Sequence, residues 1–143
     1  MHRNFAGKEG KYNREGDRNF SVILDDTVAN QMQLDGWNVK WTKQREPDDE
    51  PVAFIQVSVN FHGRPPRVVM ITSRGRTPLD EDQIEMLDWV DIRTVDLILN
   101  PYEWEIGDKS GVKAYLQSMF ITINEDPLEL KYADLDDARI PHE

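Results

Sequence analysis

The stretch FIQVSVNF, residues 54–61, decides the fold class, because apolar and polar side chains alternate strictly along it. Apolar residues occupy every second position from Ile55 to Phe61, which predicts a strand with one buried and one exposed face, as in an antiparallel sheet. The following HGRPP (62–66) predicts a turn, since Gly63 tolerates positive φ and prolines end a ladder. With RVVMIT (67–72) as the returning strand, the sequence predicts a β-hairpin over residues 54–72.

Further strand patterns occur on both sides of this hairpin. In the last of them the inward phase shifts near Gln117–Met119, which predicts a β-bulge or sharp bend. Between strands, residues 44–52 predict an exposed loop and IGDKSG (106–111) predicts a tight turn. The additional strand segments are FSVIL (20–24), WNVKW (37–41), VDLIL (95–99) and VKAYLQSMFITI (112–123).

Two segments have helix signals. A short helix over residues 26–35 would end at Gly36. The segment TPLDEDQIEMLDWV (77–90) predicts a longer helix, with Thr77 as the cap, Pro78 at the first helical position and acidic residues in the first turn. The sequence thus predicts a mostly β, OB-fold-like curled antiparallel barrel, with one helix between its central and final strands and a short N-terminal helix. A two-layer α+β sandwich is the alternative.

Composition restricts the classes of protein that this chain can represent. It has 143 residues, enough for one domain with a real core, and we expect that domain to span residues 1–124. No apolar run is long enough for a membrane span, the N-terminus lacks a signal-peptide core, and cysteine is absent. We therefore expect a soluble, intracellular protein. For residues 125–143 the composition predicts an acidic, flexible tail.

Charge is distributed unevenly along the chain, whose formal net charge is −10. Residues 1–76 hold 12 Lys/Arg and 10 Asp/Glu, whereas residues 77–143 hold 5 and 17. The stretch FHGRPPRVVMITSRGRT (61–77) has four arginines and no carboxylate, within an acid-free run from Pro51 to Leu79. Guanidinium groups bind phosphate through forked hydrogen bonds, so this stretch is a candidate polyanion site, with solvated surface arginines as the alternative. The arginines are Arg64, Arg67, Arg74 and Arg76.

Aromatic residues near cations extend this candidate site, because single-stranded nucleic acids bind to basic tracks with rings on which bases stack. Phe54 is out of phase with the buried set of its strand, and Tyr115 shares the outward phase of Lys113. We assign Trp37, Phe61 and Trp104 to the core. The remaining candidates for DNA contact are Tyr12, Arg14, Lys40, Trp41 and Lys43, of which Trp41 could equally belong to the core.

Catalytic motifs are not evident in the sequence. No histidine has a partner at metal-ligand spacing, and no nucleophilic-serine or phosphate-loop motif occurs. We therefore expect neither a cofactor nor enzymatic activity. Three acidic clusters, at residues 25–26, 48–50 and 80–82, leave open a magnesium-dependent nuclease. The sequence is also compatible with a protein–protein adaptor.

Several stretches together resemble a family of small bacteriophage proteins, particularly of phages of actinobacteria, that are described as single-stranded-DNA-binding. They cover most of residues 4–123. The resemblance implies an OB-type fold, binding of single-stranded DNA, and a role in phage DNA replication or recombination in the host cytoplasm. For a phage protein, a virion component or an anti-host protein is the alternative. Acidic tails in this functional class recruit replication or recombination proteins, but this chain ends in IPHE without the usual aromatic tip. Free strand edges would also permit a homodimer. The resembling stretches are NFAGKEGKYNREGDRNFSVILDD, DGWNVKW, VSVNFHGRPPRVVMITSRGRT, VDLILNPYEWEI and GVKAYLQSMFITI.

Overall fold

The computed structural model describes residues 2–43 and 45–125, so the predicted tail lies, apart from Glu125, outside the described residues. This part of the chain contains one α-helix, α1 (Asp26–Leu34), and one 3₁₀ turn (Ile84–Asp88). It has no helix long and apolar enough to cross a membrane. Its strands are β1 (Arg3–Asn4), β2 (Arg18–Leu24), β3 (Val39–Trp41), β4 (Ala53–Val59), β5 (Arg67–Thr72), β6 (Gly75–Leu79), β7 (Ile92–Ile106) and β8 (Lys109–Ile123).

The alternation that predicted β4 is confirmed by its burial. Ile55, Val57 and Val59 are buried in the core, whereas Gln56 on the opposite face is exposed. β2 pairs antiparallel with all of β4 and adds Phe20 to the same core. The sheet therefore has an inner face packed on the core and an outer face that presents the intervening side chains.

Strand β8 organises the sheet because it has three partners. β7 pairs antiparallel with its entire length, from Ile92–Ile123 to Ile106–Lys109. β4 pairs in parallel with residues 114–115, and β5 pairs in parallel with residues 118–122. Since a strand has only two edges, β4 and β5 lie one after the other along the same edge of β8. The sheet is thus mixed rather than purely antiparallel, and it curls into a half-barrel that is OB-fold-like, as predicted.

The predicted hairpin over residues 54–72 is wrong. Between the paired positions Ser58 and Arg67, β8 advances only from Tyr115 to Ser118, so the intervening residues loop out and the chain then continues in its original direction. Alternation identifies a strand but does not identify its neighbour, and β8 occupies the edge on which a hairpin partner would lie.

The true hairpin follows immediately, between β5 and β6. Thr72 pairs with Gly75, which leaves Ser73 and Arg74 as the turn, and Gly75 adopts a φ of 127° that favours glycine. β6 ends at Leu79, which is buried opposite Val68.

The predicted helix over residues 77–90 is also wrong, because residues 77–79 belong to β6. Pro78 lies opposite Val69 in this edge strand, where a missing N–H is tolerated. Asp80 does cap the next turn, since its Oδ1 accepts hydrogen bonds from the backbone N–H groups of Asp82 (3.0 Å) and Gln83 (3.1 Å). Only the 3₁₀ turn follows this cap.

The other local predictions agree with the structure. Asp25 caps α1 through Val28 N–H, and Gly36 follows the helix with a φ of 92°. The predicted bulge lies at Gln117, because β7 residues Ile98 and Leu99 pair with positions 118 and 116.

The N-terminal segment, which carries no strand or helix signal in the sequence, forms part of the core. The carboxylate of Asp88 accepts hydrogen bonds from the backbone N–H groups of Phe5 (2.6 Å) and Ala6 (3.0 Å). Phe5 is buried and stacks on Phe20 with ring centroids 5.0 Å apart. This contact brings the 3₁₀ turn, and the exposed Trp89 after it, beside the N-terminal segment.

Candidate nucleic-acid interface

A groove crosses the outer face of the sheet where β4 meets β8. Ser58 pairs with Tyr115 at its centre, and Gln56 lies two residues earlier along β4. Asn38 lies just before β3 and is held by a hydrogen bond from its backbone N–H to Val112 O (3.1 Å). We call this the central groove, and its floor consists of Asn38, Gln56, Ser58, Lys113 and Tyr115.

One wall of the central groove is the loop that precedes β2. Asn13 holds this loop together, because its Nδ2 donates to the carbonyl oxygens of Lys8, Arg14 and Asp17 at 2.8–3.0 Å. Its Oδ1 accepts a hydrogen bond from the buried Asn19 (2.8 Å). The neighbouring Tyr12 is thereby presented at 91% exposure on a fixed loop.

A second concavity continues the central groove past Tyr12. It is lined by His2, Lys8 and Trp89, and we call it the side groove. The two grooves form one continuous depression, because they share four lining residues. These are Tyr12, Asn13, Asn19 and Gln56.

Cations lie over aromatic rings along this depression and next to it on the outer face. The Nζ atoms of Lys8, Lys11 and Lys113 lie 5.2, 5.4 and 5.0 Å from the ring centroids of Trp89, Tyr12 and Tyr115. Further along β8, the Arg67 guanidinium lies 5.4 Å from the Phe120 ring. Such contacts are favourable by about 0.5–1 kcal/mol at exposed sites. We call these four contacts the cation–ring pairs, and they are Lys8–Trp89, Lys11–Tyr12, Lys113–Tyr115 and Arg67–Phe120.

Trp104 also lines the central groove, so its assignment to the core is wrong. It lies opposite Gly111 in the β7–β8 pair, and a Cβ on Gly111 would be only 3.0 Å from the indole ring. The missing side chain therefore lets the ring lie against the sheet. The sequence signal for this arrangement is a glycine in the outward phase of β8. Trp37 and Phe61, by contrast, do pack against the core.

The structure brings together only part of the predicted site. Tyr12, Lys113 and Tyr115 line the central groove, and Arg67 lies further along the outer face. Arg76 shares that face on β6, opposite Ile71.

The remaining predicted residues lie away from the central groove. Lys40 and Phe54 pair with each other near the start of β4, and Lys43 lies beyond β3. Trp41 lies opposite the buried Ala53 and is 37% exposed. The others are Arg14 in the N-terminal loop, Arg64 in the β4–β5 connection and Arg74 in the β5–β6 turn.

Carboxylates approach the cationic stretch more closely than the sequence suggested. Glu15 and Asp17, from outside the acid-free run, line the central groove. Glu125 accepts hydrogen bonds from the backbone N–H and the hydroxyl of Ser73, both at 2.8 Å. These hydrogen bonds, with a smaller contribution from Arg74, lower the pKa of the Glu125 carboxyl below its usual value. Arg74 is therefore partly compensated within the protein.

The acidic clusters do not form a metal site within residues 2–43 and 45–125, where no group of three potential ligands converges. One carboxylate of each cluster instead accepts a hydrogen bond from a backbone N–H group nearby. Asp25 caps α1, Asp80 accepts from Gln83 N–H in the turn that precedes the 3₁₀ turn, and Asp49 accepts from Glu46 N–H at 3.1 Å.

The curled half-barrel and its lined outer face define a protein of the OB-fold-like class. Residues 1–141 match the family model described as "Putative phage ssDNA-binding domain", and the chain belongs to that family. No curated protein and no solved structure matches the chain.

Proposed function

We propose that this protein binds single-stranded DNA without enzymatic activity, through the outer face of its sheet. The observation that carries this proposal is the set of four cation–ring pairs. In each pair a phosphate-binding group lies beside an aromatic ring on which a base can stack. Membership of a phage ssDNA-binding family supports the same ligand. Phosphates would contact the cations while bases stack on the rings, so binding would be largely independent of sequence.

The proposed contacts fall into a central and a peripheral set. The central set consists of the four cation–ring pairs, which include the predicted Tyr12, Lys113, Tyr115 and Arg67, and of Trp104 in the groove wall. Four rings with cations would engage about four nucleotides, at the low end of the range for one OB fold. The peripheral set would contact flanking phosphates or bases and consists of Arg14, Lys40, Trp41, Lys43, Phe54, Arg64, Arg74 and Arg76.

In the phage, we propose that this binding serves DNA replication or recombination, with residues 1–124 as the binding domain. The acidic segment from residue 125 onward would contact replication or recombination proteins. A homodimer would use β7, which pairs only with β8 in the described part of the chain and exposes Val95 and Ile98.

A titration with oligo-dT, followed through tryptophan fluorescence at two salt concentrations, tests the proposal. We expect quenching, because Trp104 and Trp89 line the two grooves, and tighter binding at the lower salt concentration. Incubation of end-labelled single strands with and without a chelator provides the control for catalysis. Cleavage that the chelator abolishes would identify a metal-dependent nuclease. If the chain instead binds a partner protein and does not bind oligonucleotides, it is an adaptor.

The variant Gly111→Val tests whether the fluorescence quenching arises from Trp104 in the wall of the central groove. A Cβ at this position would lie 3.0 Å from the indole of Trp104, and the two methyl groups of valine add further bulk, so the ring must shift from its present place in the groove wall. We expect weaker binding and less quenching than in the natural protein, with the strands still paired. Unchanged quenching would show that Trp104 does not contact DNA.

A further inference from the structure

The floor of the central groove contains polar side chains without an internal role. Gln56 and Asn38 are exposed, and neither side chain makes a hydrogen bond within the described part of the chain. The nearby amides of Asn13 and Asn19 differ, because both are engaged in holding the N-terminal loop. Asn13 and Asn19 therefore stabilise the folded loop, whereas the side-chain amides of Gln56 and Asn38 make no such contribution.

The two unengaged amides lie among the rings on which bases would stack. Gln56 lines both grooves together with Tyr12, and Asn38 lines the central groove together with Tyr115 and Trp104. A base stacked on one of these rings would have its edge directed across the floor. At that edge it would meet an amide.

An amide is suited to the edge of any unpaired base. Its carbonyl accepts and its NH₂ donates, and rotation of the side chain exchanges their positions. Each of the four bases carries a donor next to an acceptor on its Watson–Crick edge, so one amide can bind all of them. In a duplex these edge groups are already paired and are inaccessible to the protein.

We propose that Gln56 and Asn38 bind the Watson–Crick edges of unpaired bases and thereby select single strands over duplex without selecting a sequence. This inference rests on the proposed function, because it requires DNA in the central groove. It adds contacts that neither phosphate binding nor stacking provides.

Oligonucleotides of thymidine and of N3-methylthymidine, equal in length, separate edge contacts from stacking. Methylation removes the edge donor and blocks the edge, while the ring and the phosphates remain. For the natural protein we expect binding to the methylated strand to be about three- to tenfold weaker, the effect of one or two hydrogen bonds. In the double variant Gln56→Met with Asn38→Leu, we expect the two strands to bind equally.

Gln33→Met serves as the matched control, since Gln33 is an exposed amide on α1 outside both grooves. It should retain the discrimination, and thermal unfolding should show that all variants fold. If the natural protein binds both strands equally, or if the double variant still discriminates, the assignment of Gln56 and Asn38 is overturned while the proposed function stands. If neither strand binds, the proposed function fails and the inference fails with it.

Discussion

Replacing Tyr12 by alanine tests the proposed DNA-binding surface most directly, because the Tyr12 ring contributes little to the packing of the folded protein. Its side chain is 91% exposed, and its only ring contact is with Lys11 at 5.4 Å, in the described part of the chain. Removing it should change the free energy of unfolding by less than about 0.5 kcal/mol. Loss of one stacked base should weaken binding by about 1–3 kcal/mol, roughly 5- to 150-fold in Kd.

Fluorescence anisotropy with a labelled oligo-dT measures this difference at a fixed, low salt concentration. The variant Tyr12→Phe retains the ring and loses only the hydroxyl, so we expect its Kd to stay within about twofold of the natural value, well below the effect of a lost stack. Thermal unfolding of all three proteins tests whether the effect lies in binding. The reasoning would be refuted if Tyr12→Ala bound as tightly as the natural protein, or if Tyr12→Phe lost as much affinity as Tyr12→Ala.

Three further predictions concern charge. If about four phosphates are neutralised, log Kobs should fall with log salt at a slope of roughly −3, and a slope near zero would exclude phosphate contacts. The double variant Arg67→Glu with Arg76→Glu should reduce that slope by about 1.4 without lowering the unfolding midpoint, whereas a large loss of stability would make these arginines structural. The pKa of Glu125 is lowered in the folded protein, so its hydrogen bonds to Ser73 should stabilise the folded state fully at pH values above the pKa of the unfolded chain. This stabilisation should be lost as the pH falls through the pKa of the folded state. Ser73→Ala keeps the backbone N–H and removes only the hydroxyl, so in an NMR titration it should raise the pKa of Glu125 part of the way to its usual value, and an unchanged pKa would show that the hydroxyl does not contribute.

The strands could be predicted because their signals are local. Burial alternates along β4 as the sequence indicated, and even the bulge at Gln117 is visible as a shift in apolar phase. Strand partners were not predictable in the same way. The alternation in β4 predicts which of its faces is buried. It does not indicate that β8 pairs with the edge of β4 on which a hairpin partner would lie.

The failed helix has a different cause. Pro78 and the acidic residues after it are typical of a helix start, yet backbone pairing of β6 with β5 takes residues 77–79 into the sheet. Tertiary pairing thus overrides a local capping signal that is itself satisfied, at Asp80, by a shorter turn. Trp104 is assigned to the core from the sequence because large aromatic residues are usually buried. Its place in the groove wall depends on its pairing with Gly111 in the neighbouring strand, which the sequence alone does not reveal.

The cation–ring pairs explain how an acidic protein can keep a surface ready for a polyanion. Lys8, Lys11, Lys113 and Arg67 have no carboxylate within ion-pair distance in the described part of the chain, so no salt bridge must break before they bind phosphate. Each instead lies over a ring, a contact of about 0.5–1 kcal/mol that is weaker than the roughly 1–3 kcal/mol gained when a base stacks. At the exposed rings of Tyr12 and Trp89, the cation can stay on one face of the ring while a base stacks on the other. The internal contact therefore holds each cation near the proposed DNA-binding surface at little cost to binding.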